Sequence, residues 1–189
     1  PSKIVGIITT VPPSGRGGWE FFWFHAQATL SAAIFGFLIG NFVAIVFAIL
    51  LVYVKPLERA LMPVFLTLRS VPLVAITPLL LRIRYTLSDM QLVQENAILY
   101  SLFGTGQAVK MLVVVIIVFF PTLINVFEGL KSITPSEIEL MKSLNASGWK
   151  IFWKLRIFKA LPLTFAALKI ASTSSVLAVT VAEWLGSNQ

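Results

Sequence analysis

The stretch ELMKSLNASGWKIFWKLRIFKALP occupies positions 139–162 and separates two long apolar runs. It is basic, amphipathic and rich in aromatic residues. Together with the residues just before it, it is predicted to form two short helices at an angle, each with one apolar side. Such a pair of helices could dock onto a protein partner. The alternative is a basic amphipathic hairpin that lies on lipid headgroups.

Capping residues set the predicted ends of both short helices. The sequence TPSE at positions 134–137 matches a capping box with proline at the first helical position, which predicts a helix over 135–144. Asn145 should end this helix, because Asn is second to Gly in tolerating the left-handed C-terminal position. Ser147 is placed to cap the second helix. That helix carries three aromatic side chains, those of Trp149, Phe152 and Trp153.

The composition is that of an integral membrane protein. Of the 189 residues, 57% are hydrophobic and 12% are charged, whereas soluble domains contain about 25% charged residues. The formal net charge of +7 fits basic residues placed between membrane spans, so no nucleic-acid partner is predicted. The sequence has no cysteine, which excludes disulfides, and its single histidine, His25, excludes a multi-histidine metal site.

Four apolar stretches are predicted to span the membrane, at about 28–54, 61–81, 109–127 and 162–181. They predict an all-α, polytopic helical bundle that forms one transmembrane domain over 1–189. Gly36 and Gly40 in the first span make a Gly-x-x-x-Gly pair, which permits close contact with another helix.

Two of the predicted spans contain candidate pathway residues. The second span has three prolines and an arginine, Pro63, Pro72, Pro78 and Arg69. Irregular backbone is tolerated in membranes where it is buried in protein or lines a wet cavity, so this span either lines a solute pathway or is a kinked packing helix. The fourth span is rich in small hydroxylated residues, including Ser172 and Ser175. These suit a polar lumen, the interpretation adopted here, and they also suit close helix packing.

The distribution of basic residues orients the predicted spans. One side of the membrane holds Lys55, Arg59, Lys131, Lys142, Lys150, Lys154, Arg156 and Lys159. The other side holds Lys3, Arg16, Arg82 and Arg84. By the positive-inside rule, the loop over 131–161 is therefore predicted to be cytoplasmic.

The spacing within 139–162 resembles the cytoplasmic EAA loop of permease subunits in ABC importers. That pattern is Glu-Ala-Ala, three residues, Gly, nine residues and then Ile-x-Leu-Pro. Glu139 stands at the motif glutamate and Asn145 at the motif glycine, while Phe158 stands where the pattern has its proline. The tripeptide ending at Pro162 is similar to the Ala-Leu-Pro that follows in the sulfonate/nitrate/taurine-type branch.

Other stretches resemble the same branch. The run RSVPLVAITPL at 69–79 is similar to its Arg-x-x-Pro-x-x-Ala-x-x-Pro-Leu pattern, and AEWLGS at 182–187 is similar to its Ala-Glu-x-x-Gly-Ser pattern. The family joins Pro-Leu-Leu-Leu to Phe-Gly-x-Gly by a short link, so 82–106 is interpreted as an insertion on the non-cytoplasmic side. The resemblance also implies a further span before residue 1 and another after Gln189.

The resemblance implies a type I ABC importer permease whose loop over 131–161 couples to ATP-binding subunits. The residues expected to act in coupling are Glu139, Lys142, Asn145, Ala146, Ser147, Trp149 and Pro162. The residues expected to line the translocation pathway are Arg69, Pro72, Pro78, Ser172 and Ser175. A passive channel or secondary carrier with a headgroup-bound hairpin is the alternative function.

The resemblance also implies the partners. They are ATP-binding cassette ATPase subunits, a second permease subunit in a homodimer, an external substrate-binding protein and membrane lipid. ATP and Mg²⁺ should be bound by the ATPase partner, because the sequence has no Gly-x-x-x-x-Gly-Lys-[Ser/Thr] motif. No catalytic residue, metal site or cofactor is predicted in this chain. The expected location is the inner membrane, with several crossings, and the expected solute is small and polar.

Overall fold

A computed structural model describes residues 18–69, 82 and 107–186, and every regular element in these ranges is helical. The elements are α1 (Gly18–Tyr53), α2 (Lys55–Arg69), α3 (Gln107–Lys131), α4 (Pro135–Ser143), α5 (Gly148–Ile151), a π-helical turn (Phe152–Arg156) and α6 (Ile157–Gly186). The all-α fold class is therefore confirmed.

Three segments of these helices are long and apolar enough to cross a membrane. They are Ala26–Tyr53, Lys110–Lys131 and Gly148–Trp184. They coincide with the first, third and fourth predicted spans, although each helix extends beyond the predicted limits. The predicted second span, 61–81, lies outside the described residues beyond Arg69. The predicted insertion, 82–106, lies outside them apart from Arg82.

The helix α2 begins directly after α1. Val54 is the one residue between them, yet its N–H bonds to Leu50 O at 2.9 Å and its carbonyl accepts from the Glu58 N–H at 3.0 Å. Pro56, the second residue of α2, suits a helix start, where a backbone N–H has no intrahelical partner. The helix therefore starts earlier than the predicted limit of residue 61, and Pro63 lies inside it.

The helix α3 packs along both α1 and α6. Thr29 in the first third of α1 and Lys110 near the start of α3 both bond to Glu183 near the end of α6. At the opposite end, the rings of Tyr53 and Phe152 have centroids 5.7 Å apart. The first and third helices therefore run parallel to each other and antiparallel to α6.

Small residues bring these helices close together. A Cβ atom on Gly36 would lie 2.6 Å from Val114 Cβ, and one on Gly40 would lie 3.0 Å from the Val115 carbonyl oxygen. The close contact predicted from this glycine pair is confirmed. At the other end of the bundle, a Cβ atom on Gly129 would lie 2.9 Å from Ala160 Cα. No side chain fits at these crossings without moving a helix.

The interface between α1 and α3 also contains a buried polar pair. Thr122 Oγ1 donates to Asn41 Oδ1 at 2.7 Å, and Asn41 Nδ2 donates to the Phe37 carbonyl at 2.7 Å. The two side chains are 0% and 5% exposed. Because each finds a partner inside the bundle, the pair avoids the cost of an unsatisfied polar group in an apolar environment.

The second short helix predicted after Ser147 is not a separate element. The helix α5 continues through the π-turn into α6, so helical backbone runs without interruption from Gly148 to Gly186. The prediction of two separate short helices is therefore wrong for the second one. Pro162 does not begin a helix but lies inside α6. A proline there removes one backbone hydrogen bond, and the helix continues past it.

Candidate functional site

The helix α4 has the predicted cap at its N-terminus. Thr134 Oγ1 accepts from the Glu137 N–H at 3.4 Å, and Glu137 Oε2 accepts from the Thr134 N–H at 3.0 Å. Both halves of the capping box are therefore present. Pro135 occupies the first helical position, as predicted.

The C-terminus of α4 ends in the predicted left-handed turn. Asn145 has a φ of 55°. Its N–H bonds to Lys142 O at 2.9 Å, and the Ala146 N–H bonds to Met141 O at 3.0 Å. These two bonds form a Schellman motif with Asn145 at the position usually taken by glycine. The predicted turn is confirmed, and both ends of α4 are fixed by hydrogen bonds.

Ser147 starts the next helix, as predicted. Its hydroxyl oxygen accepts from the Lys150 N–H at 3.5 Å, which is long, and its carbonyl accepts from the Ile151 N–H at 3.0 Å. The chain then enters the π-turn, where the Ile157 N–H bonds to the Phe152 carbonyl five residues back. Single π-turns within α-helices often occur at functional sites.

Four large apolar side chains of this region are exposed, and we call them the coupling surface. They are Leu140, Leu144, Trp149 and Trp153, with exposed fractions of 62%, 71%, 69% and 51%. The two tryptophan rings have centroids 5.7 Å apart. Phe152, predicted to share their side of the helix, is 6% exposed and belongs to the apolar core instead. Trp149 and Trp153, one turn apart, are thus exposed, while Phe152 is buried.

The helix that carries these tryptophans is too long to lie wholly within a bilayer. Its apolar segment of 37 residues is about 55 Å long at 1.5 Å per residue, whereas the hydrocarbon core is about 30 Å thick. Its first turns contain Lys150, Lys154, Arg156 and Lys159. Because charged side chains avoid the hydrocarbon core, this is the end that projects from the membrane.

Two glutamates of α4 have different surroundings. Glu139, the predicted coupling carboxylate, is exposed and has no ion-pair partner within the described residues. Glu137 pairs with Lys159 of α6, with 2.5 Å between Oε1 and Nζ. The hydrogen bond from Lys159, followed by that from the Thr134 backbone, holds the pKa of Glu137 below its usual value. Sequence reasoning missed this pair because its partners lie on different helices.

The remaining predicted coupling residues are close to the same end of the bundle. Lys142 is exposed in the last turn of α4, where a cation interacts favourably with the negative end of the helix dipole. Ala146 is half-buried in the turn, and Pro162 is exposed on α6. The predicted coupling residues of 139–149 thus lie on α4, in its C-terminal turn and at the start of the next helix, whereas Pro162 lies farther along α6.

Two further contacts tie the helices together at this end. Arg156 Nη1 donates to the Leu130 carbonyl at 3.2 Å, which satisfies an otherwise free carbonyl in the last turn of α3. Lys131 Nζ lies 2.5 Å from Glu58 Oε1 of α2 and 5.0 Å from the centre of the Phe127 ring. The helices α2, α3 and α6 are thus joined at this end of the bundle.

The predicted pathway residues are only partly within the described structure. The Ser175 side chain is 4% exposed and donates to the Ser172 carbonyl at 2.8 Å. Ser172 is exposed and donates to the Lys169 carbonyl at 2.8 Å. Arg69 is the last residue of α2, and its side chain, Pro72 and Pro78 all lie outside the described residues. The pathway assignment therefore stays a prediction.

A second polar cluster at the opposite end of the bundle joins three helices. Glu183 Oε1 accepts from Lys110 Nζ at 2.9 Å and from Thr29 Oγ1 at 2.6 Å. Sequence reasoning gave Lys110 no role, and it placed Glu183 at a span end and in the stretch that resembles the family's Ala-Glu-x-x-Gly-Ser pattern, without a partner. The signal in the sequence for this ion pair was one acidic residue, Glu183, and one basic residue, Lys110, near the ends of two apolar helices. No group of three or more potential metal-ligating side chains occurs among the described residues.

The sequence also matches a known family over almost its entire length. Residues 17–189 fit the model for the binding-protein-dependent transport system inner membrane component. The chain belongs to this family. The match includes all the helices described above, so the bundle and its capped loop are those of a transport permease domain. The family membership predicted from the sequence of the loop is confirmed.

Several curated relatives of this permease-family chain are transport permeases by name. A "Probable ABC transporter permease protein" of Haemophilus influenzae is 29% identical over 90% of the chain and 62% of the relative. The formylaminopyrimidine transport permease protein ThiX of Halalkalibacterium halodurans is 27% identical over 100% of the chain and 66% of the relative. The nitrate import permease protein NrtB of Leptolyngbya laminosa is 26% identical over 90% of the chain and 54% of the relative. The chain thus spans less than two-thirds of the length of these relatives.

Proposed function

We propose that this chain is the permease subunit of an ATP-driven ABC importer, that it forms the translocation pathway for a small polar solute, and that its loop over 131–161 couples to ATP-binding subunits. The observation that carries the proposal is the coupling surface. Its four large apolar side chains are held in water by a doubly capped helix and by a helix that projects from the membrane. Exposed apolar groups of this size are stabilised when a partner covers them.

The proposed assembly contains two permease subunits, as a homodimer, two ATPase subunits at the coupling surfaces and an external substrate-binding protein, in the inner membrane. ATP and Mg²⁺ are bound by the ATPase partner, and this chain carries no catalytic step. Closure of the ATPase pair around nucleotide displaces α4, and the contacts of α4 with α6 and of α6 with α3 pass the displacement to both spans. The permease then changes the side on which its pathway opens, because the partner binds one conformation more tightly than the other.

The headgroup-bound hairpin receives less support from the geometry. In that alternative both short helices would lie in the plane of the membrane surface. However, α5 continues into α6 and therefore follows the axis of a helix that crosses the bilayer. Trp149 and Trp153 then point outward from a projecting helix. This arrangement favours contact with a protein over contact with headgroups.

Glu139 provides the test of the proposed docking. Its carboxylate is exposed beside Leu140 and is not used within the described chain, so it is available to a basic side chain or backbone amides of the ATPase. Glu139→Ala should leave the complex assembled but reduce the solute-stimulated rate of ATP hydrolysis. Glu128→Ala, which removes an exposed carboxylate from α3, is the matched control and should keep the stimulation.

The measurement is ATPase activity, with and without solute, in complexes reconstituted into lipid vesicles. Uptake that proceeds without ATP would favour the passive channel or carrier. Wild-type coupling in both Glu139→Ala and Asn145→Val would count against docking through this loop, because the headgroup-bound hairpin predicts no loss from Glu139→Ala.

A further inference from the structure

The helix α4 needs something other than packing to hold its orientation. It has nine residues and buries none of them. Non-helical segments flank it on both sides, residues 132–134 before it and 144–147 after it. A short helix without buried side chains gains little stability from apolar contacts. Its angle to the bundle therefore depends on specific polar contacts.

Glu137 makes two such contacts with its two carboxylate oxygens. Oε2 accepts from the Thr134 N–H inside α4, and Oε1 pairs with Lys159 Nζ on α6. The side chains of Lys159 and Glu137 are 42% and 31% exposed, so the pair is partly shielded from water. Because one carboxylate fixes the helix start and also reaches α6, the ion pair constrains both the position and the direction of α4.

The segment that receives this contact is itself fixed to α3. Lys159 lies in the first turn of α6, between Arg156, which donates to Leu130 O, and Ala160, which abuts Gly129. The contact at Gly129 involves backbone atoms and leaves no room for a side chain at that position. A force that reaches Lys159 therefore acts on both α6 and α3. The turn at Asn145 also connects α4 to this segment, but that connection is longer because it passes through α5 and the π-turn.

From these contacts, and on the basis of the function proposed above, we infer that Glu137 and Lys159 are positioning residues for energy coupling. Their ion pair holds α4 at a fixed angle to α6, so that displacement of α4 by an ATPase partner moves the two spans. Without the pair, part of the displacement is absorbed by rotation of α4 about its flanking segments. Neither residue needs to touch the partner, the nucleotide or the solute.

The test is a double-mutant cycle in the reconstituted complex with its ATPase partner. Glu137→Gln removes the charge but keeps the N-terminal cap, because Gln also fits the capping box. Lys159→Gln removes the other charge. The quantity measured is the number of solute molecules transported per ATP hydrolysed, in complexes shown by size-exclusion chromatography to be assembled. Glu58→Gln, which breaks the Lys131 pair at the same end without touching α4, is the matched control.

Each single substitution should lower the transport ratio by roughly two- to fivefold, the range expected for a partly exposed ion pair. The double variant should be no worse than either single one, because both remove the same interaction. Glu58→Gln should keep the wild-type ratio. Losses that multiply in the double variant would overturn the inference, since the two residues would then act separately, for example by direct contact of Glu137 with the ATPase. Unchanged ratios in both single variants would also overturn it.

A second measurement does not depend on loss of function. The sequence contains no cysteine, so Glu137→Cys with Lys159→Cys gives a unique pair for a flexible thiol crosslinker. Crosslinking should restore the transport ratio that the two substitutions lower, and a crosslink that blocks transport would show that the angle must change. A wild-type complex without ATP-dependent uptake would contradict the proposed function itself, before any variant is compared.

Discussion

Asn145 is the residue on which the turn between α4 and α5 depends. Its φ of 55° is a conformation that glycine adopts freely and that a β-branched residue avoids. Asn145→Val should strain the turn by about 1–2 kcal/mol and weaken coupling to the ATPase. Asn145→Gly, the matched control, should be tolerated. Solute-stimulated ATP hydrolysis in reconstituted complexes measures both effects, and equal activity of the two variants would show that the turn geometry does not matter.

Local chemistry at this scale could be predicted from sequence. The capping box at Thr134, the turn at Asn145 and the cap at Ser147 each depend on residues within a few positions of one another, and all three are present. The Glu137–Lys159 pair could not be predicted in the same way, because it depends on how α4 is placed against α6. Glu139 was singled out because of its motif position, whereas the glutamate of α4 that pairs with another helix is Glu137.

At the scale of the elements, the crossing of α3 and α6 at Gly129 is a point of close contact. Gly129→Leu should lower the free energy of unfolding by about 1–3 kcal/mol, because its side chain would meet the Ala160 backbone. Gly148→Ala is the matched control, since nothing lies within 4 Å of a Cβ atom there. Denaturant unfolding in detergent micelles, followed by circular dichroism, measures the difference. A Gly129→Leu protein as stable as Gly148→Ala would contradict the close crossing.

The element that sequence reasoning described incorrectly is the helix that starts at Gly148. The motif and Pro162 suggested that a short helix ends before a new span begins, because proline is common in the first turn of a helix. In the folded chain, tertiary packing outweighs these local signals. Ile151, Phe152 and Ala160 are buried against the bundle, and the π-turn adjusts the register so that the helix continues. A change of register of this kind leaves no recognisable pattern in one sequence.

For the whole molecule, the main testable feature is the side of the membrane on which α4 lies. Lys142→Cys should react with a membrane-impermeant maleimide only in inverted vesicles or opened cells, because the distribution of basic residues predicts a cytoplasmic position for α4. Trp184→Cys, 67% exposed at the opposite end of α6, is the control and should react in intact cells. Labelling of Lys142→Cys in intact cells would reverse the topology.

Composition was sufficient to predict a helical membrane protein, and the three described crossing segments agree with it. The arrangement of the helices was not predictable in the same way. It depends on contacts such as Gly36 with Val114 and Asn41 with Thr122, which join residues far apart in sequence. Ser172 and Ser175 illustrate the same limit, because hydroxyl groups suit both a lumen and a helix contact, and only their surroundings distinguish the two.

The ion pair between Lys110 and Glu183 also affects how the bundle responds to the membrane potential. Two opposite charges that move together carry no net charge, so their displacement through the transmembrane field requires almost no electrical work. Lys169 in α6 has no ion-pair partner among the described residues. A single charge that crosses the whole field gains or loses about 2.3 kcal/mol per 100 mV. Within the described part of α6, a voltage dependence of its movements would therefore originate at Lys169 rather than at the Lys110–Glu183 pair.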